Sequence, residues 1–334
     1  MKIKISNKWV GEETPVFIVA EGGINHNGKV KIAKELVYEA KKAGADAIKF
    51  QTFTASDLAS PKSKFYNIFK KLELDKTDFE EISDHAKSQG IVFLSTPFSE
   101  RSVDILTSLK VPAFKIASGD LTHIPLIKYA ASKRKPMIIS TGMANLKEVQ
   151  DAIKAIVSER NRQIIIMHSV SSYPTPPSHA NLRVICELMK KFPYPVGYSD
   201  NGNDSLVPIT SVALGAKIIE KHFTINKKLR GPDHSLSTDP REFASLVQKI
   251  REVETMLGDG NKKCQMSESE NRMAARRSIT AVVPIARGTR ITREMIQIKR
   301  PATGIEPKYI LQVVGKKAIK RISVDESIKW NDIK

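Results

Sequence analysis

The chain is 334 residues long, and 41% of its residues are hydrophobic, which is enough for a substantial buried core. No uninterrupted apolar run approaches the roughly 20 residues that a membrane-spanning helix needs, and the first residues, MKIKISNKWVGEE, lack the apolar stretch of a signal peptide. Cys186 and Cys264 lie far apart and form neither a disulfide framework nor a metal-binding knuckle. We therefore expect a soluble, cytoplasmic protein without a membrane partner.

The sequence carries 54 Lys and Arg against 36 Asp and Glu, a formal net charge of +18. Such an excess is typical of nucleic-acid binding, of attraction for anionic substrates, or of a generally basic proteome. A nucleic-acid-binding protein would carry a localised basic stripe with interleaved aromatic residues. Here the lysines are scattered along helical faces and aromatic residues make up only 6%, so we expect no nucleic-acid partner.

Short β-branched or apolar segments recur along residues 1–258, and segments of helical period lie between them. The apolar segments lack polar alternation, which is typical of strands buried on both faces of a parallel sheet. Their number and spacing predict a (β/α)8 TIM barrel; a doubly wound sheet is the competing fold, but no G-x-G-x-x-G follows the first strand. The predicted strands are 16–20, 47–53, 91–96, 113–118, 137–142, 163–168, 195–199 and 216–223.

The character of the sequence changes after Gly258, where the last predicted helix of the barrel ends. Residues 259–277 are polar and predict a linker or a solvated helix. Residues 278–334 contain short β-like segments and turn signals, which predict a small β domain. A unit of this size has a marginal core, so we expect it to pack on another surface.

Polar side chains follow every predicted strand of the barrel, where TIM barrels hold their functional groups. Such groups are costly to bury unless they bind something. Lysines and hydroxyls suit a phosphate or carboxylate, whereas carboxylates and histidine suit a divalent cation and proton transfer. The set comprises Glu21, Lys49, Gln51, Thr96, Lys115, Ser118, Asp120, Ser140, His168, Ser171, Tyr173, Ser199, Asp200, Glu220 and His222.

A series of motifs, in chain order, closely resembles the sialic acid (nonulosonic acid) synthase family: VAEGGINHNG, IKFQTF, FLSTPFS, FKIASGD, IISTGMA, SYPTP, GYSD, IIEKHFT and GPDHSLS. The segment IKRPATGIEPKYILQVVGKKA resembles that family's small domain, which is related to type III antifreeze protein. The resemblance covers nearly the whole chain. It implies a TIM barrel followed by a C-terminal antifreeze-like (SAF) domain, usually in a domain-swapped homodimer.

The resemblance also implies a reaction in which phosphoenolpyruvate condenses with an N-acylated amino-hexose and water, cleaving the enolpyruvate C–O bond. The acceptor is N-acetylmannosamine or, alternatively, a diacetamido-dideoxyhexose that gives a legionaminate- or pseudaminate-type acid. Catalytic roles are implied for Glu21, Lys49, Lys115 and Asp120. Phosphoenolpyruvate is expected to contact Lys49, Gln51, Thr96, Lys115, Ser118, Ser140, Ser171 and Ser199. The acceptor is expected to contact Glu21, Tyr173, Asp233 and Arg300, the last of them from the partner subunit.

The family binds a divalent cation, Mn²⁺ or Mg²⁺, through two histidines. Here His222 stands at one of these positions and Asn201 at the other. An amide oxygen can ligate these hard cations, although it is weaker than imidazole for softer metals, and we expect Asp200 to compensate. Asp120 replaces the usual Glu, and the segment after the second strand is shorter than usual, so acceptor choice stays open.

Two histidines lie in less informative settings. His168 is expected to be a hydrogen-bonded core residue, whereas His26 is expected either to brace its loop or to contact a ligand. The alternative function from a different class is a nucleic-acid-binding or regulatory protein on a decayed barrel, suggested only by the net charge and the missing metal ligand.

Overall fold

The computed structural model describes every residue from Met1 to Lys334 and divides into two units, Met1–Gly258 and Asp259–Lys334. The first unit begins with an antiparallel hairpin of β1 (Lys2–Ile5) and β2 (Lys8–Gly11). The buried side chains of Ile3, Ile5 and Val10 join a cluster with the inward-facing residues of the barrel strands. The hairpin therefore closes the amino-terminal end of the barrel.

A buried carboxylate fastens this hairpin to the rest of the unit. Asp46 accepts a hydrogen bond from the backbone N–H of Ile18 at 2.8 Å, pairs with Lys8 of the hairpin, and lies 3.3 Å from the guanidinium of Arg251. Because a buried carboxylate is stable only when it is paired and hydrogen-bonded, the four groups hold one another in place. The hairpin, the barrel and the last helix of the unit thus meet at one residue.

Eight parallel strands follow, and the prediction of a TIM barrel is confirmed. Their hydrogen-bonded order is β5-β4-β3-β10-β9-β8-β7-β6, and β6 lies beside β5, so the barrel is nearly closed. The strands are β3 (Phe17–Gly23), β4 (Ala47–Thr52), β5 (Val92–Pro97), β6 (Phe114–Ile116), β7 (Met137–Ser140), β8 (Ile164–Ser169), β9 (Val196–Asp200) and β10 (Ile218–His222). Each overlaps a predicted strand.

The helices of the first unit surround the barrel and bury their apolar faces against it. Two of these helices begin at capping boxes. The side chains of Asn145 and Asp239 accept backbone N–H groups of the first turn, and the side chains of Glu148 and Glu242 accept the backbone N–H groups of those two capping residues. The helices are α1 (Val30–Lys42), α2 (Ala55–Leu58), α3 (Tyr66–Lys70), α4 (Lys76–Ser88), α5 (Glu100–Ser108), α6 (Ile124–Ser132), α7 (Leu146–Ser158), α8 (Arg183–Lys191), α9 (Leu206–Ala213) and α10 (Pro240–Leu257).

The second unit contains α11 (Ser269–Ala275), β11 (Ser278–Ala281), β12 (Ile296–Lys299) and α12 (Ile310–Val313). β11 pairs with β12 in antiparallel fashion, and the core beneath them consists mostly of isoleucine. α11 has no buried residue, in agreement with a solvated helix in the polar segment. None of the helices of the chain combines the length and the apolar character that crossing a membrane requires.

Candidate active site

A cavity of about 360 Å³ opens where the barrel strands end at their carboxyl ends. The predicted site residues that line it are Glu21, Lys49, Gln51, Thr96, Lys115, Ser118, Ser140, Ser171, Tyr173, Ser199, Asn201 and His222. Glu220 also lines the cavity, although sequence reasoning gave it no role. One polar pocket therefore brings together side chains from all eight strand ends.

Two lysines and two glutamates form a continuous charged chain at the floor of this cavity. Lys49 Nζ lies 2.6 Å from Glu21 Oε2 and 3.6 Å from Glu220 Oε2, and Lys115 Nζ lies 3.4 Å from Glu220 Oε1. All four side chains are buried. Because buried charges are costly unless they are compensated, the alternation of ammonium and carboxylate groups is what makes this array stable.

The array fixes the charge state of each member. Burial raises the pKa of Glu21, and Lys49 only partly opposes this. Burial alone would also raise the pKa of Glu220, but the neighbouring Lys115 and Lys49 hold it below its ordinary value. Burial lowers the pKa of Lys115, whereas the Glu21 and Glu220 carboxylates outweigh burial at Lys49 and raise its pKa. Lys115 is thus the ammonium that is easier to deprotonate.

Hydroxyl groups surround the charged array. Lys49 Nζ donates to Thr96 Oγ1 at 3.2 Å, and Ser199 Oγ donates to Glu220 Oε1 at 3.0 Å. The hydroxyl of Ser140 is buried and has no hydrogen-bond partner in the protein. A buried polar atom without a partner is uncommon, and here it lines the same cavity as two ammonium groups. The arrangement is suited to a small anion with several oxygen atoms.

The imidazole of His222 is a candidate ligand for a cation at the rim of the same cavity. Its Nδ1 atom is buried and has no hydrogen-bond partner, and the Tyr173 ring lies edge-on at 5.9 Å between centroids. Burial lowers the pKa of His222, although the nearby Asp233 and Glu220 oppose the shift. The ring is therefore available in the neutral form that ligates metals.

Asn201 is oriented by its amide nitrogen. Nδ2 donates to the carbonyl of Val170 at 2.8 Å and lies 3.4 Å from Ser169 Oγ, which leaves the amide oxygen as the free end of the side chain. No group of three or more His, Cys, Asp or Glu side chains is arranged to hold a metal. Of the residues predicted to bind the metal, only His222 and the amide oxygen of Asn201 could ligate a cation at this rim.

The expectation that Asp200 compensates for Asn201 is wrong, because its carboxylate is fully used elsewhere. Asp200 Oδ2 lies 2.5 Å from the ammonium of Lys221, and Oδ1 accepts the backbone N–H of Gly202 at 3.1 Å. Lys221 is 1% exposed and also donates to the carbonyls of Gly202 and Asp204. Successive residues of a strand point to opposite faces, so Asp200 and Lys221 face away from the cavity that Ser199 and Glu220 line.

Three predicted site residues do not line the cavity. Asp120 lies in a short turn after β6, where burial raises its pKa. Asp233 is half-buried; burial raises its pKa, and the nearby His222 opposes that shift. Arg300 lies in the second unit, directly after β12, and is exposed. Of the three, only Asp233 lies close enough to lining residues, His222 and Glu21, for their charges to affect its pKa.

The histidines outside the cavity have structural roles. His168 is buried and its Nε2 lies 2.8 Å from the carbonyl of Ala180, so the prediction of a hydrogen-bonded core residue is confirmed. His26 is buried, and its Nδ1 accepts the N–H of Gly28 at 3.0 Å. Burial lowers its pKa to about 4. His26 therefore braces its loop through Nδ1, while its buried Nε2 has no hydrogen-bond partner in the chain.

The sequence analysis placed Glu220 among the polar residues at the strand ends without a role, and it did not name Lys221. The register of two neighbouring parallel strands could have indicated their partners, because Glu220 lies opposite Ser199 and Lys221 lies opposite Asp200. The segment IIEKH therefore directs Glu220 and His222 to the inside and Lys221 to the outside. Strand alternation alone would have assigned the inner pair to the site and the outer pair to a buried ion pair.

Comparison with known proteins agrees with this geometry. A model of the NeuB family matches residues 36–262, and a model of the SAF domain matches residues 276–334. N,N'-diacetyllegionaminic acid synthase of Legionella pneumophila is 42% identical, over 97% of this chain and 96% of that protein. Human (Homo sapiens) N-acetylneuraminate-9-phosphate synthase is 36% identical, over 96% and 93%.

A solved structure shows the same similarity. The crystal structure of N-acetylneuraminic acid (sialic acid) synthetase from Leptospira borgpetersenii serovar Hardjo-bovis, in complex with citrate, matches with a TM-score of 0.78 and 35% identity. The match covers 81% of this chain and 95% of that chain. The family resemblance of the sequence motifs is thereby confirmed, and the chain belongs to the NeuB family of sialic acid synthase-type enzymes and carries a SAF domain.

Proposed function

We propose that this enzyme condenses phosphoenolpyruvate with an N-acylated amino-hexose to form a nonulosonic acid and inorganic phosphate. The observation that carries the proposal is the buried array of Glu21, Lys49, Glu220 and Lys115, which lines the same cavity as the unpartnered hydroxyl of Ser140. Two ammonium groups and several hydroxyls can offset the charge of phosphoenolpyruvate in this cavity, because electrostatic attraction is stronger at low dielectric than in bulk water.

In this proposal the chain's own residues bind and orient the two substrates. Lys49 and Lys115 neutralise the phosphate and carboxylate of phosphoenolpyruvate, so that C3 of the enol can attack the aldehyde carbon of the acceptor. Water then adds at C2, and phosphate leaves with cleavage of the C–O bond. Glu21 lies between Lys49 and Gln51 and would accept a hydrogen bond from the acceptor. Asp120 lies outside the cavity lining but directly follows Ser118 and Gly119, which belong to it, and its carboxylate is proposed to stabilise the positive charge that develops at C2.

The acceptor is proposed to be N-acetylmannosamine or, alternatively, a diacetamido-dideoxyhexose. Relatives named as a legionaminic acid synthase and as an N-acetylneuraminate-9-phosphate synthase are both similar to this chain along almost their full length, so an assay has to decide the acceptor. Purified protein would be incubated with phosphoenolpyruvate, Mn²⁺ or Mg²⁺, and each sugar or its 6-phosphate, while inorganic phosphate is measured. We expect phosphate release that depends on one acceptor. Phosphate release that is equal with and without every acceptor would contradict the proposal.

A divalent cation is part of the proposal, with Mn²⁺ or Mg²⁺ held by His222 and the amide oxygen of Asn201. The buried, unpartnered Nδ1 of His222 and the free oxygen of Asn201 fit such a site. When bound, the cation would act as a Lewis acid on the acceptor's aldehyde oxygen. Hard cations of this kind keep several water ligands, which agrees with the small number of protein ligands.

Replacing Asn201 with histidine should tighten Mn²⁺ binding by roughly tenfold or more, because imidazole is a stronger donor than a neutral amide for Mn²⁺, the softer of the two candidate cations. Electron paramagnetic resonance of free Mn²⁺ measures binding without any turnover. Asn203→His is the matched control, since Asn203 lies exposed in the same loop. Identical Mn²⁺ titrations of the Asn201→His variant and the original protein would exclude residue 201 from the coordination shell.

The pH dependence of phosphoenolpyruvate use should show a basic limb set by Lys115. Burial lowers the pKa of this lysine, so it loses its proton, and its attraction for the anionic substrate, at a pH below the ordinary lysine value of 10.5. We expect kcat/KM for phosphoenolpyruvate to fall as the pH rises through that pKa. A profile of kcat/KM that stays flat up to pH 10.5 would show that Lys115 does not bind the substrate.

The organisation of the chain is proposed in the same terms: a catalytic domain at 1–258, a linker at 259–277, and a SAF domain at 278–334 in a domain-swapped homodimer. In this arrangement Arg300 would contact the acceptor bound by the partner subunit.

Arg300→Ala should raise the acceptor KM by roughly tenfold or more and leave the phosphoenolpyruvate KM unchanged, as loss of a charged hydrogen bond implies. Steady-state kinetics with each substrate varied in turn measures both values. An unchanged acceptor KM would argue against the swapped dimer.

A further inference from the structure

A second cavity, in the second unit, has the chemistry of an anion-binding site. It encloses about 510 Å³, a volume typical of small-ligand sites, and three arginines line it: Arg272, Arg276 and Arg277. None of the three guanidinium groups forms an ion pair with a carboxylate or a side-chain hydrogen bond within the chain. All three arginines are exposed, so water screens their charges without cancelling them, and together they attract an anion at close range.

The only carboxylate at the cavity is already paired. Glu306 Oε2 lies 2.9 Å from the ammonium of Lys308, and this bond, together with the more distant charges of Arg276 and Arg272, keeps the pKa of Glu306 below its ordinary value. The charges of Glu306 and Lys308 therefore cancel, and the positive charges of the three arginines are left without a counter-charge at the cavity. The cavity attracts anions and has no internal group that satisfies it.

The walls of the cavity are tied to each other by the backbone. The N–H of Ala302 donates to the carbonyl of Met273 at 2.8 Å, which joins the loop after β12 to α11. Met273 and Pro307 add apolar surface to the same walls. The cavity is therefore formed before any ligand arrives, and it offers both charged and apolar contacts, as small-molecule sites do.

We propose that this cavity, which we call the arginine cleft (Arg272, Arg276, Arg277 and Lys308), binds a small phosphorylated ligand that carries at least two negative charges. Guanidinium groups present planar pairs of donors that match phosphate oxygens, and three of them suit more than one phosphoryl group or one fully ionised group. Its lining residues all belong to the second unit, and its binding of an anion does not depend on the proposed reaction.

Isothermal titration calorimetry of the full chain with inorganic tripolyphosphate tests the proposal. We expect saturable binding that weakens as salt is raised and that falls by at least roughly tenfold in an Arg272→Gln/Arg276→Gln double variant, because each lost contact is a charged hydrogen bond. Arg287→Gln/Arg321→Gln is the matched control, since it removes the same charge from exposed positions of the same unit. This control should bind as the original protein does.

Two further measurements separate the arginine cleft from other anion sites. Binding that persists in a Lys115→Met variant would place the ligand outside the barrel cavity, as proposed, whereas loss of binding in that variant would overturn the proposal. Equal losses in the test and control double variants would also overturn it, because they would indicate general charge attraction. A change of oligomeric state in Arg272→Gln/Arg276→Gln, measured by light scattering, would instead assign the arginines to a protein interface.

Discussion

Replacement of Lys115 by methionine is expected to lower the rate of acceptor-dependent phosphate release by at least roughly 100-fold, comparable to removing a donor that stabilises charge in a transition state. The ammonium of Lys115 is 4% exposed and lies 3.4 Å from Glu220, so its loss removes charge compensation for substrate and protein alike. Methionine keeps the length and apolar character of the side chain. Phosphate release under saturating substrates measures the effect.

A matched control distinguishes the site from a general effect of removing a lysine. Lys135 is partly buried, and its ammonium donates to the carbonyl of Val111 at 2.6 Å, away from the cavity. Burial lowers its pKa as it does that of Lys115. Lys135→Met should retain activity close to that of the original protein. Near-normal turnover by Lys115→Met would show that the phosphoenolpyruvate site lies elsewhere.

Replacement of Lys221 by methionine should lower the free energy of unfolding by roughly 3–5 kcal/mol, the cost of leaving one partner of a buried ion pair alone. Asp200 and Lys221 are both 1% exposed, and the ammonium also holds the carbonyls of Gly202 and Asp204. Denaturant unfolding of the variant and the original protein measures the difference. Lys228→Met, at an exposed position, should unfold as the original protein does.

The partner variant sharpens this prediction. Asp200→Asn combined with Lys221→Met removes both charges, so the double variant should recover part of the stability that Lys221→Met loses. If Lys221→Met unfolds at the original denaturant concentration, then the pair contributes nothing and the loop from Asp200 to Asp204 is held by its backbone alone. If the double variant is the least stable of the three, the uncompensated charge is not the cause.

The barrel could be predicted because strands that are buried on both faces read as uninterrupted apolar segments, such as residues 163–168, which become β8. The hairpin of β1 and β2 was missed because each strand is only four residues long and its charged residues mask the buried Ile3 and Ile5. The segment after the second barrel strand, predicted only as a short loop, contains the small helices α2 and α3. Short elements depend on tertiary contacts that no local pattern shows.

The candidate site could be predicted as a set of residues but not as a set of contacts. The position of Lys49 and Lys115 at strand ends follows from the fold, whereas their pairing with Glu220 depends on which strands are neighbours across the barrel. Asp200 was misread because its residue type was considered without its direction. Alternation along β9 and β10 assigns Asp200 to Lys221 and Ser199 to Glu220.

The hairpin that closes the barrel also has a consequence for the order in which the chain is made. Ile3, Ile5 and Val10 belong to the same buried cluster as Ile218 of the last barrel strand. The hairpin therefore completes its contacts only when the last barrel strand, far along the chain, has been synthesised, and such long-range pairing is slow and leaves apolar surface exposed in the meantime. A nascent chain that stalls before Ile218 would present the apolar side chains of the hairpin, Ile3, Ile5 and Val10, to chaperones.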